Sequence, residues 1–458
     1  MKTFMHKLTA SFFGVALIVP SLAFVSNAEE LAPSAAEVQP ATTSPILEVG
    51  DAEAAASQSL NVDSTQGPSS LGFPGSSVSQ NGLLGDLVFD SSTGGIWVPF
   101  WKVINEIGGG IFRDVFSSAL FGIDVKEYGP QTEDPRTPAI GDQAVPAVIN
   151  LDETLPKPDW WNWQLPFTPY GPRYVSAYSN AMQRDIPLVW VPAPDSSTPR
   201  PVVYAMSGRD GGEEAFSLIS NTDLVKIAQE LNVHVVSPAQ GRATNYLDWY
   251  DDSASPAGKQ QWETFLTKEL PLSFENAIGA SHQRSIVGMS ASAGTALLFA
   301  EHNPGMYDAV GSISGCAESN SNLGRYAHAR SLEPNATVDE VFGPQDEAFS
   351  LYNDAYVNAP TLVNQPNIFV FSADGLVGAQ DFDDYYRPEN DAQWNSRFKI
   401  GGLIEAVTNF CTHRLEAKMN ISGVRANFQY SSAGTHSWGY FNQGAIGFMD
   451  MLRKVYAN

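Results

Sequence analysis

Ile286-Val287-Gly288-Met289-Ser290-Ala291-Ser292-Ala293-Gly294 runs from an apolar strand, through Gly-x-Ser-x-small, into an Ala-rich stretch from Thr295 to Ala300. A strand that turns sharply into a helix lifts the central serine out of the sheet. Small neighbours keep the strained turn free of clashes. The backbone N–H of Ala291, at the start of the expected helix, is placed to donate to an oxyanion. Ser292 stands where the strict pattern has its last glycine, so the turn can also be centred on Ser292, with Ser290 and Gly294 flanking it. The glycine two residues before Ser290 closes the turn and favours Ser290.

Short apolar runs flank this elbow on both sides. Leu188–Val191, Pro201–Met206, Val233–Val236, Arg284–Gly288, Ala309–Ile313 and Asn367–Phe371 read as strands. Helical stretches such as Thr222–Leu231 and Thr264–Ala277 lie between several of them. This alternation predicts an α/β protein with a mostly parallel central sheet covered by helices on both faces. Together with the elbow it predicts an α/β-hydrolase fold, in which acid and base follow the serine in chain order. His302, His328, His413 and His436 are the downstream histidines. Only His436 sits in a loop between a strand (Ala426–Tyr430) and a terminal helix (Gly444–Val455), the place of the base. Two acids compete: Asp374, which follows the strand ending near Ala373, and Glu405 on the next helix. Pattern alone prefers Asp374.

Upstream, Lys2 and Lys7 precede an apolar run from Leu8 to about Val25, followed by the small residues of Ser26-Asn27-Ala28. This predicts a signal peptide over 1–28 and a secreted or cell-envelope protein. Residues 29–80, rich in Ala, Ser and Pro, read as a disordered spacer. Residues 81–160 form an N-terminal extension, partly helical, and 161–458 the α/β-hydrolase domain. Within the extension, 96–121 carries apolar residues at helical spacing, interrupted by Gly108-Gly109-Gly110. It reads as a helix packed on the domain or, alternatively, as one touching envelope lipid.

Lys and Arg total 26 against 50 Asp and Glu, a net charge of −24, which excludes a basic nucleic-acid footprint. In an exported chain the two cysteines, Cys316 and Cys411, are expected to form one disulfide. Such a bridge would tether the Glu405 segment to the sheet beside Ser290. Two cysteines and seven scattered histidines give no metal-ligand spacing, and serine chemistry needs no cofactor.

From about Arg184 to Tyr456 the sequence resembles the mycolyltransferases of the antigen 85 type, in their corynebacterial form. The resemblance rests on Asn245-Tyr246-Leu247-Asp248-Trp249-Tyr250, Trp262-Glu263-Thr264-Phe265-Leu266-Thr267, Val287-Gly288-Met289-Ser290, Met306–Gly315 and Gly434-Thr435-His436-Ser437-Trp438. It implies Ser290 as nucleophile, His436 as base and Glu405, rather than Asp374, as acid. It also implies backbone oxyanion donors at Ala291 and Arg209. The implied substrates are a glycolipid acyl donor, trehalose monomycolate, and a hydroxyl acceptor, either a second such molecule or the cell wall. The family's sugar-contacting Asp-Gly-Leu-Arg segment is Ser207-Gly208-Arg209-Asp210 here, and its glutamate after His-Ser-Trp is Gly439. Ser207, Asp210 and Trp438 are the candidate sugar contacts; Trp438 reads equally as a stacking platform or a core residue.

Overall fold

The computed structural model describes residues 128–456, apart from 137, 154, 159–160, 162–170, 214–216, 254, 256, 333–335, 383–392 and 395. The expected signal peptide, spacer and helix over 96–121 lie outside the described residues. Among the described residues nine strands form one sheet: β1 (Val148–Asn150), β2 (Arg173–Ser179), β3 (Arg184–Val191), β4 (Val202–Met206), β5 (His234–Pro238), β6 (Arg284–Met289), β7 (Ala309–Ile313), β8 (Ile368–Ser372) and β9 (Ala426–Tyr430). Their spatial order is β1-β2-β3-β5-β4-β6-β7-β8-β9.

From β5 to β9 neighbouring strands run parallel, as expected, while β1, β2 and β3 form an antiparallel wing. The wing departs from the sequence reading in two ways. β1 lies in the stretch grouped with the extension, so the sheet starts before residue 161. β3 begins at Arg184 and includes Pro187, which blurs the strand pattern. Pro187 lacks an N–H but accepts a hydrogen bond from Ala239 N (2.9 Å) through its carbonyl.

Strands β4 to β8 are buried along nearly their whole length, which is why they read as apolar runs rather than alternating ones. Side chains still alternate between faces: Ile286 joins one core, Val287 and Met289 the other. Five helices carry the argument below: α1 (Leu224–Leu231), α2 (Leu270–Ile278), α3 (Ala293–His302), α4 (Gly402–Ile421) and α5 (Trp438–Val455). The core with Ile286 also takes Phe274 of α2, Leu297 and Phe299 of α3, and Leu415 and Met419 of α4. The opposite core takes Leu224 and Val225 of α1 with Phe448 and Leu452 of α5. The terminal helix starts at Trp438, six residues before its expected start at Gly444. Gly439, Gly444 and Gly447 weaken its sequence signal, and packing overrides that propensity.

Two stretches that carry the family resemblance meet in space. Asp248 bridges to Gln261, and its carboxylate accepts from Thr264 N (3.0 Å) and Thr264 Oγ1 (2.5 Å). Burial, with Glu263 alongside, pushes the Asp248 carboxyl up to about 7. These residues are scaffold, and they pack behind the elbow: Thr295 Oγ1 of α3 donates to Asn245 O (2.7 Å).

On β5, buried His234 accepts from Ala193 N (3.0 Å) through Nδ1, and burial holds its imidazole down at about 4. The folded state therefore resists protonation that the unfolded chain accepts near 6.5. Stability contributed by this site is present above pH 6.5 and is lost as pH falls towards 4. His234→Gln keeps an acceptor without the titration. Its stability relative to wild type is expected to rise from pH 7 to pH 4 by at most about 3 kcal/mol. Urea melts of both proteins at several pH values check this, and parallel curves would contradict it.

Candidate active site

β6 ends at Met289, and the chain turns through Ser290–Ser292 into α3. Ser290 adopts φ +53°, a conformation that costs a non-glycine residue energy and persists only where its surroundings impose it. Ser292 imposes it. Its buried hydroxyl accepts from Met289 N (3.0 Å) and lies 3.2 Å from Met206 O, tying the turn to the end of β4. A Cβ on Gly288 would come within 2.2 Å of Ser292 O, so only glycine lets the turn close. The turn is therefore centred on Ser290, and Ser292 buttresses it.

The Ser290 hydroxyl reaches the carboxyl end of the sheet, where open α/β sheets gather their functional groups. Ser290 Oγ lies 2.8 Å from His436 Nε2, in the loop between β9 and α5. His436 Nδ1 lies 2.7 Å from Glu405 Oε2. An ionised carboxylate only accepts, so Nδ1 carries the proton and Nε2 faces the serine as acceptor. The other Glu405 oxygen, Oε1, accepts from Ser314 Oγ (2.8 Å), Ser372 Oγ (3.2 Å) and Ala373 N (2.8 Å). Glu405 is fully buried, and these donors replace the water it has lost.

Asp374, the acid that pattern alone preferred, accepts instead from Leu376 N (2.8 Å) two residues along. The discrepancy is geometric. The carboxylate beside His436 does reach the end of β8, as the fold demands, but it comes from the first turn of α4. Ser314 and Ser372, which cradle it, escaped the sequence reading. Their signal was available as small polar residues at the ends of β7 and β8.

Three ties join the segment after β7 to α4. Besides Ser314 with Glu405, Cys316 and Cys411 form a disulfide, and buried Glu318 pairs with Arg414 (2.7 Å). Closing a loop of 95 residues removes roughly 4–5 kcal/mol of unfolded-state entropy in a chain-entropy account. The helix that carries Glu405 is thus fixed to the sheet on the side of Ser290.

The loop after β4 supplies the opposite wall. A Cβ on Gly208 would sit 3.3 Å from Ser290 Cβ, so backbone approaches the serine closely there. Arg209 follows, its carbonyl held by Ala243 N (2.8 Å) and its guanidinium directed to Leu332 O. Ser207 is buried at the end of β4, and Asp210 is partly buried. Trp438 opens α5 and packs edge-on against Phe441, which in turn meets the His436 ring edge-on. Gly439 packs against Gln380, whose Cβ would lie 2.8 Å from an added Cβ.

A hydroxyl hydrogen-bonded to an imidazole, itself oriented by a buried carboxylate, is an arrangement able to make and break acyl esters. The Esterase family model ("Putative esterase") matches residues 179–447. The chain belongs to the esterase family. Relatives of this esterase-family chain include a protein of Mycobacterium intracellulare named diacylglycerol acyltransferase/mycolyltransferase Ag85B. It is 25% identical over 281 residues, covering 58% of this chain and 78% of the relative. Ag85A of Mycobacterium leprae, named in the same way, is 26% identical over 277 residues, covering 59% and 79%. Among solved structures, the esterase chain is similar to Mycobacterium tuberculosis MPT51 (FbpC1), with 19% identity, a TM-score of 0.49, and coverage of 60% of this chain and 95% of that one.

Proposed function

We propose that this esterase-family enzyme is an exported mycolyltransferase. It moves a long-chain mycoloyl group from trehalose monomycolate to a second trehalose monomycolate or a cell-wall hydroxyl. The observation that carries the chemistry is the unbroken hydrogen-bond line from Ser290 through His436 to Glu405. The acyl class rests on relatives named acyltransferases.

In the first half-reaction His436 Nε2 takes the Ser290 proton while Oγ attacks the donor's ester carbonyl. The oxyanion is held by the N–H groups of Ala291 and Arg209, each worth roughly 3–4 kcal/mol in the transition state. Collapse breaks the bond to the donor's sugar oxygen, which leaves with the proton from His436, and the acyl group stays on Ser290. An acceptor hydroxyl then gives its proton to His436, attacks the acyl-serine, and regenerates the free serine. Val377, Phe382, Leu403 and Ile404 are exposed on the segments next to the His436 loop, an apolar rim suited to a long chain.

Hydrolysis is the second reading, and Ser207 and Gly439 favour it. The first is buried, and the second packs so closely on Gln380 that no larger residue fits without displacement. Neither reproduces the sugar contacts of the antigen 85 type. Product analysis after incubation with trehalose monomycolate separates the two. Transfer predicts the dimycolate as the main product in water, whereas free mycolic acid alone would make the chain a secreted carboxylesterase.

A further inference from the structure

We propose that Asp381 is the positioning residue that holds the His436 imidazole in register with Ser290. The inference rests on the acyl-serine reading above. Asp381 lies in a single turn, Ala379–Phe382, and its side chain is fully buried. Its Oδ1 accepts from Thr435 Oγ1 (2.6 Å) and Ser437 Oγ (2.8 Å). Its Oδ2 accepts from Gly378 N (2.9 Å) and Thr435 N (3.3 Å). One carboxylate therefore grips the residues on both sides of the histidine.

The stretch 431–437 has no helix or strand of its own, so His436 depends on contacts with other segments. Glu405 fixes the ring through Nδ1, and Gly401 O accepts from the His436 backbone N–H (3.0 Å). These contacts hold the ring and the backbone of His436 itself. Asp381 holds its neighbours, because Thr435 and Ser437 lie one residue to either side. The Asp381 turn is itself anchored, since Arg397 Nη1 donates to Asp381 O (2.9 Å). A displacement of about 1 Å in such a site is enough to cost two orders of magnitude in rate.

Two of the four partners, Gly378 N and Thr435 N, only donate, while the Thr435 and Ser437 hydroxyls donate or accept. Asparagine can keep its carbonyl oxygen towards the two N–H groups and give its N–H₂ to the two hydroxyls, so alanine is the informative substitution. Asp381→Ala removes all four contacts and loosens the loop while leaving Ser290, His436 and Glu405 in the chain, and Asp381→Asn should stay close to wild type. Tyr456→Phe serves as the control. It removes the Tyr456–Ser285 hydrogen bond (2.6 Å) at the far end of β6, so it perturbs the fold without touching the loop.

The test measures three quantities in the full chain: the rate of Ser290 phosphonylation by a fluorophosphonate, kcat and KM for a soluble p-nitrophenyl ester, and the downfield proton resonance of the His436–Glu405 hydrogen bond. Asp381→Ala is expected to slow phosphonylation and kcat by roughly 30- to 100-fold. KM should stay within about twofold, and the resonance should broaden or vanish. Tyr456→Phe should retain both rate and resonance. Wild-type rates and an unchanged resonance in Asp381→Ala would overturn the proposal, as would equal losses in Tyr456→Phe. If Asp381→Ala does not fold, Ser437→Ala removes a single donor and should slow phosphonylation about fivefold with a shifted resonance; no change there also overturns it. A wild type that is neither phosphonylated nor active would refute the acyl-serine reading instead. The resonance comparison would then still decide whether Asp381 holds His436.

Discussion

Ser290→Ala lowers ester turnover by roughly 10⁵-fold or more, with the fold unchanged. The residue supplies the one hydroxyl that His436 Nε2 faces, at 2.8 Å, and nothing else in the turn can replace it. What survives should be the slow catalysis of a binding site with oxyanion donors but no nucleophile. Ser292→Ala behaves in the opposite way. Its hydroxyl is buried against Met289 and Met206, so its loss leaves Met289 N unpaired and costs about 1–3 kcal/mol of stability. Turnover per folded molecule should stay within about tenfold of wild type. Steady-state assays on both variants, corrected by circular dichroism for folded fraction, check the contrast. Loss of activity in Ser292→Ala alone would mean that the turn presents the other serine.

Glu405→Gln lowers kcat by about 10³- to 10⁴-fold, whereas Asp374→Asn changes it less than about threefold. The reasoning turns on donors. Ser314, Ser372 and Ala373 all donate to Oε1, so a glutamine there keeps its carbonyl oxygen towards them. Its N–H₂ then points at His436 Nδ1. That nitrogen must become an acceptor, and the proton moves to Nε2. A protonated Nε2 cannot take the proton of Ser290, although every heavy atom remains in place. Asp374 accepts from Leu376 N in its own turn, whereas the carboxylate on His436 Nδ1 is that of Glu405, so an amide at 374 changes kcat little. Stopped-flow acylation with an activated ester measures both variants. Comparable losses in the two would place the acid function outside Glu405.

The elbow was legible because its chemistry is local: a strand, a glycine, a serine and small neighbours within nine residues. His436 was legible for a related reason, since only one downstream histidine lies in a loop after a strand. The acid was not, because a strand-end aspartate and a helix glutamate both satisfy chain order. The family resemblance pointed to Glu405, and in the structure it is Glu405 that reaches Ala373 N and His436 Nδ1. Asp381 was invisible altogether. Its four donors come from residues 378, 435 and 437, and no sequence spacing announces a contact across more than fifty positions. The antiparallel wing was missed in part because β1 is three residues long and Pro187 interrupts the pattern of β3. The parallel strands, buried on both faces, carry the strongest signal and were read nearly to their ends.

The most direct measurement of the central claim traps the acyl-enzyme. Wild-type protein is mixed with an activated long-chain ester, quenched in acid within seconds, and digested for peptide mass mapping. The account predicts one added acyl group, located on Ser290, which disappears on addition of trehalose or another hydroxyl acceptor. An acyl group found on Ser292, or turnover of the ester with no acylated peptide at any quench time, would contradict it.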